Sequence, residues 1–300
     1  MGKICYVEKK FSLTSLEVVE QANQILDAYQ EEGFTLTLRQ LYYQFVARGL
    51  LPNTQQSYKR LGSIVNDARL AGLIDWDHIQ DRTRNVRSNP HWTSPGDIIH
   101  SAASSYGIDL WEDQEHRVEV WIEKDALIGV IEGVCTDFDV PFFACRGYVS
   151  QSELWSAAQR MLGHQINRQE PVVIHLGDHD PSGIDMTRDI FDRLDLMVGK
   201  PVEVKRIALN MDQVQQYNPP PNPAKITDSR AGGYIAQHGV ESWELDALEP
   251  FVIIGLVKNQ ILDLLDGYKF DMKKRRREEE REELTLAANN WDDVVRYLNR

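Results

Sequence analysis

Residues 172–183, Val-Val-Ile-His-Leu-Gly-Asp-His-Asp-Pro-Ser-Gly, restrict the fold more than any other stretch of this chain. A short apolar run such as Val172–Leu176 predicts a fully buried strand of a parallel sheet. It runs straight into Gly177, two aspartates one residue apart, and a Pro-Ser-Gly turn. Asp178 and Asp180 therefore fall at the carboxyl end of a buried strand, where open α/β sheets place their ligands. Two hard oxygen donors there suit Mg²⁺, which prefers one or two carboxylates with water and phosphate. The same aspartates would also serve simply to cap the helix that follows.

A matching element lies upstream in residues 118–127, Val-Glu-Val-Trp-Ile-Glu-Lys-Asp-Ala-Leu. Val118, Val120 and Ile122 supply a strand, Glu123 falls at its end, and Ala126, Leu127, Val130, Ile131 and Val134 form a helical stripe. Between the two lies a strand over Pro141–Cys145, the loop Arg146–Ser150 and a helix from about Ser152 to Gln165. With a further strand over Val202–Leu209, the order predicts an α/β class with a small parallel sheet covered by helices.

One glutamate after the first strand and an Asp-x-Asp after the third resemble the TOPRIM domain of topoisomerases and primases. In that family these acids hold a divalent metal at a phosphodiester. Glu123-Lys124-Asp125-Ala126, Arg146-Gly147-Tyr148 and Gly177-Asp178-His179-Asp180-Pro181-Ser182-Gly183 are similar to one branch, the A subunit of topoisomerase VI and its meiotic double-strand-break relative. That branch carries a nucleophilic tyrosine in a preceding winged-helix domain, in an Arg-x-x-x-Tyr pattern. Arg39-Gln40-Leu41-Tyr42-Tyr43 matches it, and the resemblance makes Tyr43 the nucleophile. It also implies Mg²⁺ held by Glu123 and Asp178, with Asp180 as a further ligand or support, and Glu123 doubling as general acid or base. Arg146 and Tyr148 would contact the DNA backbone, and a homodimer would bring the tyrosine of one protomer to the metal of the other. An ATP-driven cycle would require a separate ATPase subunit, since the chain has no phosphate-binding glycine loop of its own. The loop departs from the family at Val149-Ser150, where relatives commonly have Pro-Asp.

The residues themselves say less about Tyr43. Arg39 and Tyr43 are four apart and share a helical face, but Leu38, Leu41, Tyr42 and Phe45 already make an apolar one. A phenol is mostly protonated at neutral pH and needs a cation, a polarised phosphate or a base before it attacks. Arg39 would stabilise the phenolate, or make an ordinary salt bridge or backbone contact.

The net charge is −13, which argues against a strongly basic DNA coat. The balance is uneven, because residues 35–94 hold eight Arg or Lys against four Asp. That window predicts a three-helix winged-helix unit. A capping box at Thr14-x-x-Glu17 opens the first helix, Thr37–Gly49 is the second, Gln55–Ala71 the third, and Gly72–Trp76 starts a wing. Lys59, Arg60 and Arg69 are left for duplex DNA, as are Arg82 and Arg84, which would otherwise pair within their own charges. The linker falls at Asn85–Gly96. This organisation places a DNA-binding domain at 1–95, the metal-binding domain at 110–270 and a helical tail at 271–300.

No apolar run approaches the ~18 residues of a membrane span, and the amino terminus shows no signal-peptide pattern. Three cysteines without zinc or disulfide spacing fit a reducing compartment, so a cytoplasmic, nucleoid-associated place is expected. His175 and His179 read as one buried strand residue and one variable loop position. Asn218–Pro223 reads as a rigid extended excursion. Ser242–Leu248 reads as capping or dimer contacts, or as acids approaching the metal. Lys273–Arg277 with Glu278–Glu280 reads as a solvated helix, and Trp291–Leu298 as a closing one. Two alternatives stay open: a TOPRIM nuclease that hydrolyses DNA with Tyr43 structural, and a non-catalytic DNA-binding subunit of a larger assembly.

Overall fold

The computed structural model describes residues 3–31, 33–79 and 89–299. Among them the chain is mixed α/β, with twelve α-helices around a four-stranded parallel sheet. Three helices come first: α1 (Leu13–Glu31), α2 (Leu38–Ala47) and α3 (Gln55–Leu70). Their apolar stripes meet in one core containing Val19, Leu26, Leu41, Phe45, Leu61 and Val65. Thr37 caps α2 through a reciprocal box with Gln40, and Thr54 caps α3. At α1 the helix starts earlier than the Thr14–Glu17 signature suggests, because the Ser12 hydroxyl accepts from Ser15 N (3.2 Å).

The stretch expected to open a wing follows a different course. After α3 the chain makes an isolated antiparallel bridge between Ala71 and Cys5, a 3-10 turn over Trp76–His78, and a parallel bridge from Ile79 to Leu36. Arg82, Arg84 and the first part of the expected linker lie outside the described residues. Its end is helical, since Ser94 caps α4 (Pro95–Ser105) with proline in the first turn.

The sheet is built from β1 (His116–Ile122), β2 (Phe142–Ala144), β3 (Glu170–Leu176) and β4 (Glu203–Ala208), in the order β2-β1-β3-β4. The crossovers are α5 (Ile128–Asp137), α6 (Gln151–Ile166) and α7 (Pro181–Val198). Alternation along the central strands sorts residues to two faces. Val118, Val120, Ile122, Val172, Ile174 and Leu176 pack on one side with α5, and Trp121 and Val173 on the other with α6 and α7.

Beyond β4 come α8 (Met211–Tyr217), β5 (Asn222–Pro223), α9 (Ala231–His238) and β6 (Glu241–Ser242). Of the proline-rich excursion, Asn222–Pro223 is extended and pairs antiparallel with β6, while Asn218 takes a left-handed conformation (φ 46°) at the end of α8. Then α10 (Pro250–Leu264) covers the α5 face of the sheet through Ile253, Val257 and Ile261. The charged α11 (Gly267–Asn289) lies along α4, with Arg281 Nε donating to Tyr106 O (2.7 Å), and α12 (Trp291–Leu298) ends the described chain. No helix among the described residues is long and apolar enough to cross a membrane.

Both histidines beside the Asp-x-Asp are buried, so His179 is no variable surface position. His175 on β3 shares a hydrogen bond with Thr187 Oγ1 (2.9 Å), and burial pushes its pKa down to about 3. The unfolded chain therefore takes up a proton below pH 6.5 that the folded chain refuses. This component of stability is present above that pH and is lost as pH falls toward about 3. Urea titrations of wild type and His175→Gln should diverge by up to ~1.4 kcal/mol per pH unit between pH 6 and 4, the wild type losing more. Parallel curves would show that the imidazole is not held neutral.

Candidate functional site

The parallel register puts Ile122 opposite Leu176, so Glu123 and Gly177 leave adjacent strands at the same level. Asp178 N donates to Glu123 Oε2 (2.8 Å), which joins the two acidic motifs directly. Gly177 eases this approach, since a Cβ there would sit 3.0 Å from Glu123 Oε2 and push that carboxylate aside by a few tenths of an ångström. Gly183 is tighter still: its Cβ would lie 2.2 Å from Asp178 O, so only glycine lets α7 begin this close to the loop. Asp180 caps α7 by accepting from Gly183 N (2.6 Å) and Ser182 Oγ (2.9 Å).

The turn carrying the aspartates is clamped from below by Arg206 of β4. Its guanidinium donates to the carbonyls of Gly177, Asp178, Gly183 and Leu209 and to Thr187 Oγ1, at 2.6–3.1 Å. Burial lowers the Arg206 pKa to about 10 despite the nearby carboxylates of Glu123, Asp178 and Asp180. Nothing in the sequence marked it, because an arginine in a strand of alternating polarity reads as an outward residue.

A second segment closes over the acids. His179 and Trp243 exchange backbone hydrogen bonds (2.8 and 2.9 Å), and Leu245 N donates to Asp178 Oδ1 (2.7 Å). This pairing carries Glu244 and Asp246 into the site. Lys124, next to Glu123, places its ammonium 2.9 Å from Asp178 Oδ1, 2.9 Å from Glu244 Oε2 and 2.8 Å from Asp246 Oδ1. Arg39 of α2 reaches the same pair, with Nε 2.7 Å from Asp246 Oδ2 and a further contact to Glu244. Tyr43 completes the chain of contacts. Its hydroxyl accepts from an Arg39 nitrogen (3.5 Å), with the guanidinium 5.7 Å from the ring centre.

The electrostatics follow from these neighbours. Burial raises the Asp178 and Glu123 pKa values, and Lys124 only partly offsets it; Glu123 and Asp246 add repulsion at Asp178, as Asp180 does at Glu123. Burial would also raise Glu244, but Lys124, the Tyr43 hydroxyl and Arg39 outweigh it and hold that carboxyl well below its usual range. Tyr43 is buried, and burial together with Asp246 and Glu244 raises its pKa, more than Arg39 can oppose. The phenol is therefore held in its protonated form, and Arg39 makes the salt bridges that were the other expectation for it.

Among the described residues, no group of three or more His, Cys, Asp or Glu side chains is arranged to hold a metal ion. The expected triad is only partly assembled, because Asp180 is spent on its helix cap and Asp178 on Lys124 and Leu245. Glu123 and Asp178 nevertheless fit the donor side of a Mg²⁺ site, being hard carboxylates, half-buried and buried respectively, adjacent and mutually repelling.

The remaining predicted residues sit in varied settings. Lys59 and Arg60 are exposed on α3. Arg69 is committed to its own turn, donating to Trp76 O (2.8 Å) and Ile79 O (3.1 Å) and stacking on Trp76. Arg146 is exposed and pairs with Asp125 (2.8 Å), while the Tyr148 hydroxyl donates to Asp185 (2.6 Å) beneath Arg230. Arg39, Tyr42, Tyr43, Asn53, Asn222 and Glu244 line a pocket of about 370 Å³. Lys124 and Arg206 are the site residues that the sequence left without a role, whereas Glu244 and Asp246 take up the expectation that acids of Ser242–Leu248 approach the acidic strand ends. A comparison with protein-family models finds none that matches this chain, and a comparison with curated proteins finds no relative.

Replacing Arg206 with Met should cost about 3–5 kcal/mol, because it strands several buried carbonyl groups at once. Denaturant unfolding of the purified variant measures this, and a change within ~0.5 kcal/mol would remove Arg206 as the support of the acidic turn.

Proposed function

We propose that this chain cleaves duplex DNA by metal-dependent tyrosine transesterification, as a compact relative of the topoisomerase VI A subunit. Its helical unit would act as the winged-helix domain, and its sheet unit as the TOPRIM domain. The observation that carries this reading is the continuous set of contacts from Tyr43 and Arg39, through Glu244, Asp246 and Lys124, to Asp178 and Glu123. A nucleophile-bearing helix and an acidic strand end, more than a hundred residues apart, are thereby held in one site. Structural ion pairs alone do not require a tyrosine hydroxyl, an open pocket and an excess of carboxylates together.

In the proposed reaction the Tyr43 hydroxyl oxygen attacks phosphorus, the bond from phosphorus to the 3′ oxygen breaks, and a 5′-phosphotyrosyl link forms. The phenol proton leaves to a nearby base, and the 3′ oxygen leaves as a hydroxyl. Arg39 would stabilise charge on the phosphoryl oxygens. Glu123 and Asp178 would hold Mg²⁺, with Asp180 as a further ligand or as support; the ion would supply Lewis-acid stabilisation of the phosphate and the leaving oxygen. Lys59, Arg60, Arg146 and Tyr148 are surface groups available to a DNA backbone, and Arg82 and Arg84 belong to the same proposal from sequence alone. A homodimer and a separate ATPase subunit complete it as partners, with a cytoplasmic, nucleoid-associated location.

One observation favours hydrolysis by activated water, with Tyr43 structural: the phenol is buried, and its neighbours make it harder to ionise. Quenching a reaction of protein, supercoiled DNA and Mg²⁺ with denaturant separates the two. Transesterification predicts a covalent protein–DNA adduct with wild type and a loss of roughly 10³-fold or more with Tyr43→Phe. Asp178→Asn should abolish cleavage under either reading. Undiminished, adduct-free cleavage by Tyr43→Phe would establish hydrolysis, and undiminished cleavage by Asp178→Asn would remove the acidic site from the chemistry.

A further inference from the structure

We infer that the position held by the Glu244 carboxylate is an anion seat for a phosphate ester, which the ligand-free chain fills with its own side chain. Donors from separate elements meet there. Arg39 of α2 and Lys124 beyond β1 (2.9 Å) both contact Oε2, Asn222 Nδ2 of β5 reaches Oε1 (3.3 Å), and the Tyr43 hydroxyl lies beside Arg39 (3.5 Å). A carboxylate that balanced a single cation would not need two cations and an amide drawn from three places in the chain. Two cationic groups around one oxygen, with a hydroxyl beside one of them, is an arrangement that recognises a phosphoryl oxygen.

The seat would survive the departure of Glu244. Asp246 keeps Arg39 through Nε (2.7 Å) and Lys124 through Nζ (2.8 Å), and Asp178 also holds Lys124. Removing the Glu244 charge therefore leaves one guanidinium N–H, one ammonium N–H and the phenol facing a single vacant position. That position opens to the surface through the pocket of about 370 Å³ lined by Arg39, Tyr43, Asn222 and Glu244, a size that admits a nucleotide. Glu244 is thus an internal competitor, and substrate binding displaces it. The identification of the ester with a DNA phosphodiester rests on the proposed function, whereas the seat for a phosphate group rests on the donors alone.

Inorganic phosphate is the probe, titrated by calorimetry into the full-length protein with Mg²⁺ present, because Glu123, Asp178 and Asp246 keep the surroundings acidic. Glu244→Gln retains the shape and removes the charge; Glu244→Ala removes the side chain. Both should bind phosphate roughly tenfold or more tighter than wild type, on the scale of a charge-assisted hydrogen bond. Adding Lys124→Met to Glu244→Gln should erase the gain. Equal affinity in wild type and both Glu244 variants would overturn the seat, as would a gain that persists without Lys124. A gain with no adduct from wild type or any Glu244 variant would leave the seat standing and remove the tyrosine reading. Adducts without any gain would do the reverse.

Discussion

The ammonium of Lys124 gathers the acids of this site from two separate segments. It is largely buried, and a buried cation is tolerated only when its neighbours replace the water it has lost. Here three carboxylates do so: Asp178 from the end of β3, and Glu244 and Asp246 from the segment after β6. Asp246 and Glu244 then extend the same charge pattern to Arg39 on α2. The helical unit and the sheet are thus joined by ion pairs as well as by the apolar insertion of Ala247 into the amino-terminal core.

The arrangement leaves negative charge in excess at the strand ends. Glu123 and Asp178 face each other across a single hydrogen bond, and the cations nearby are already shared. Repulsion of this kind is a cost that the fold carries without benefit unless something positive binds. The strand ends, the two close-approach glycines and Arg206 keep these acids in place. The tyrosine side is held differently, since its neighbours keep the phenol protonated and its arginine satisfied.

Much of the sheet was legible in the sequence because its signals are local. Val118–Ile122 and Val172–Leu176 are apolar runs that end in acids, and parallel pairing of such runs necessarily brings Glu123 beside Asp178. The helices α2 and α3 carried their own caps and stripes. The misreadings have equally physical causes. Ser94-Pro95-Gly96 reads as linker, yet serine and proline are also an N-cap and a first-turn residue, and α4 is stabilised by its packing on α11. Glu244 and Asp246 reach the site only through the His179–Trp243 pairing, a contact spanning 64 residues that no local pattern encodes. Arg69 looked available to DNA because nothing nearby in sequence says that Trp76 will fold back beneath it.

The most direct test of this account is a double-mutant cycle between Lys124 and Asp246, using Lys124→Met, Asp246→Asn and the pair, with unfolding free energies from denaturant titration. Each single change strands a buried charge and should cost about 3–5 kcal/mol. The double variant should be more stable than the sum of the singles predicts by at least ~1 kcal/mol. Additive losses would mean that the two side chains do not depend on one another, and that something else holds the segment after β6 against the strand ends.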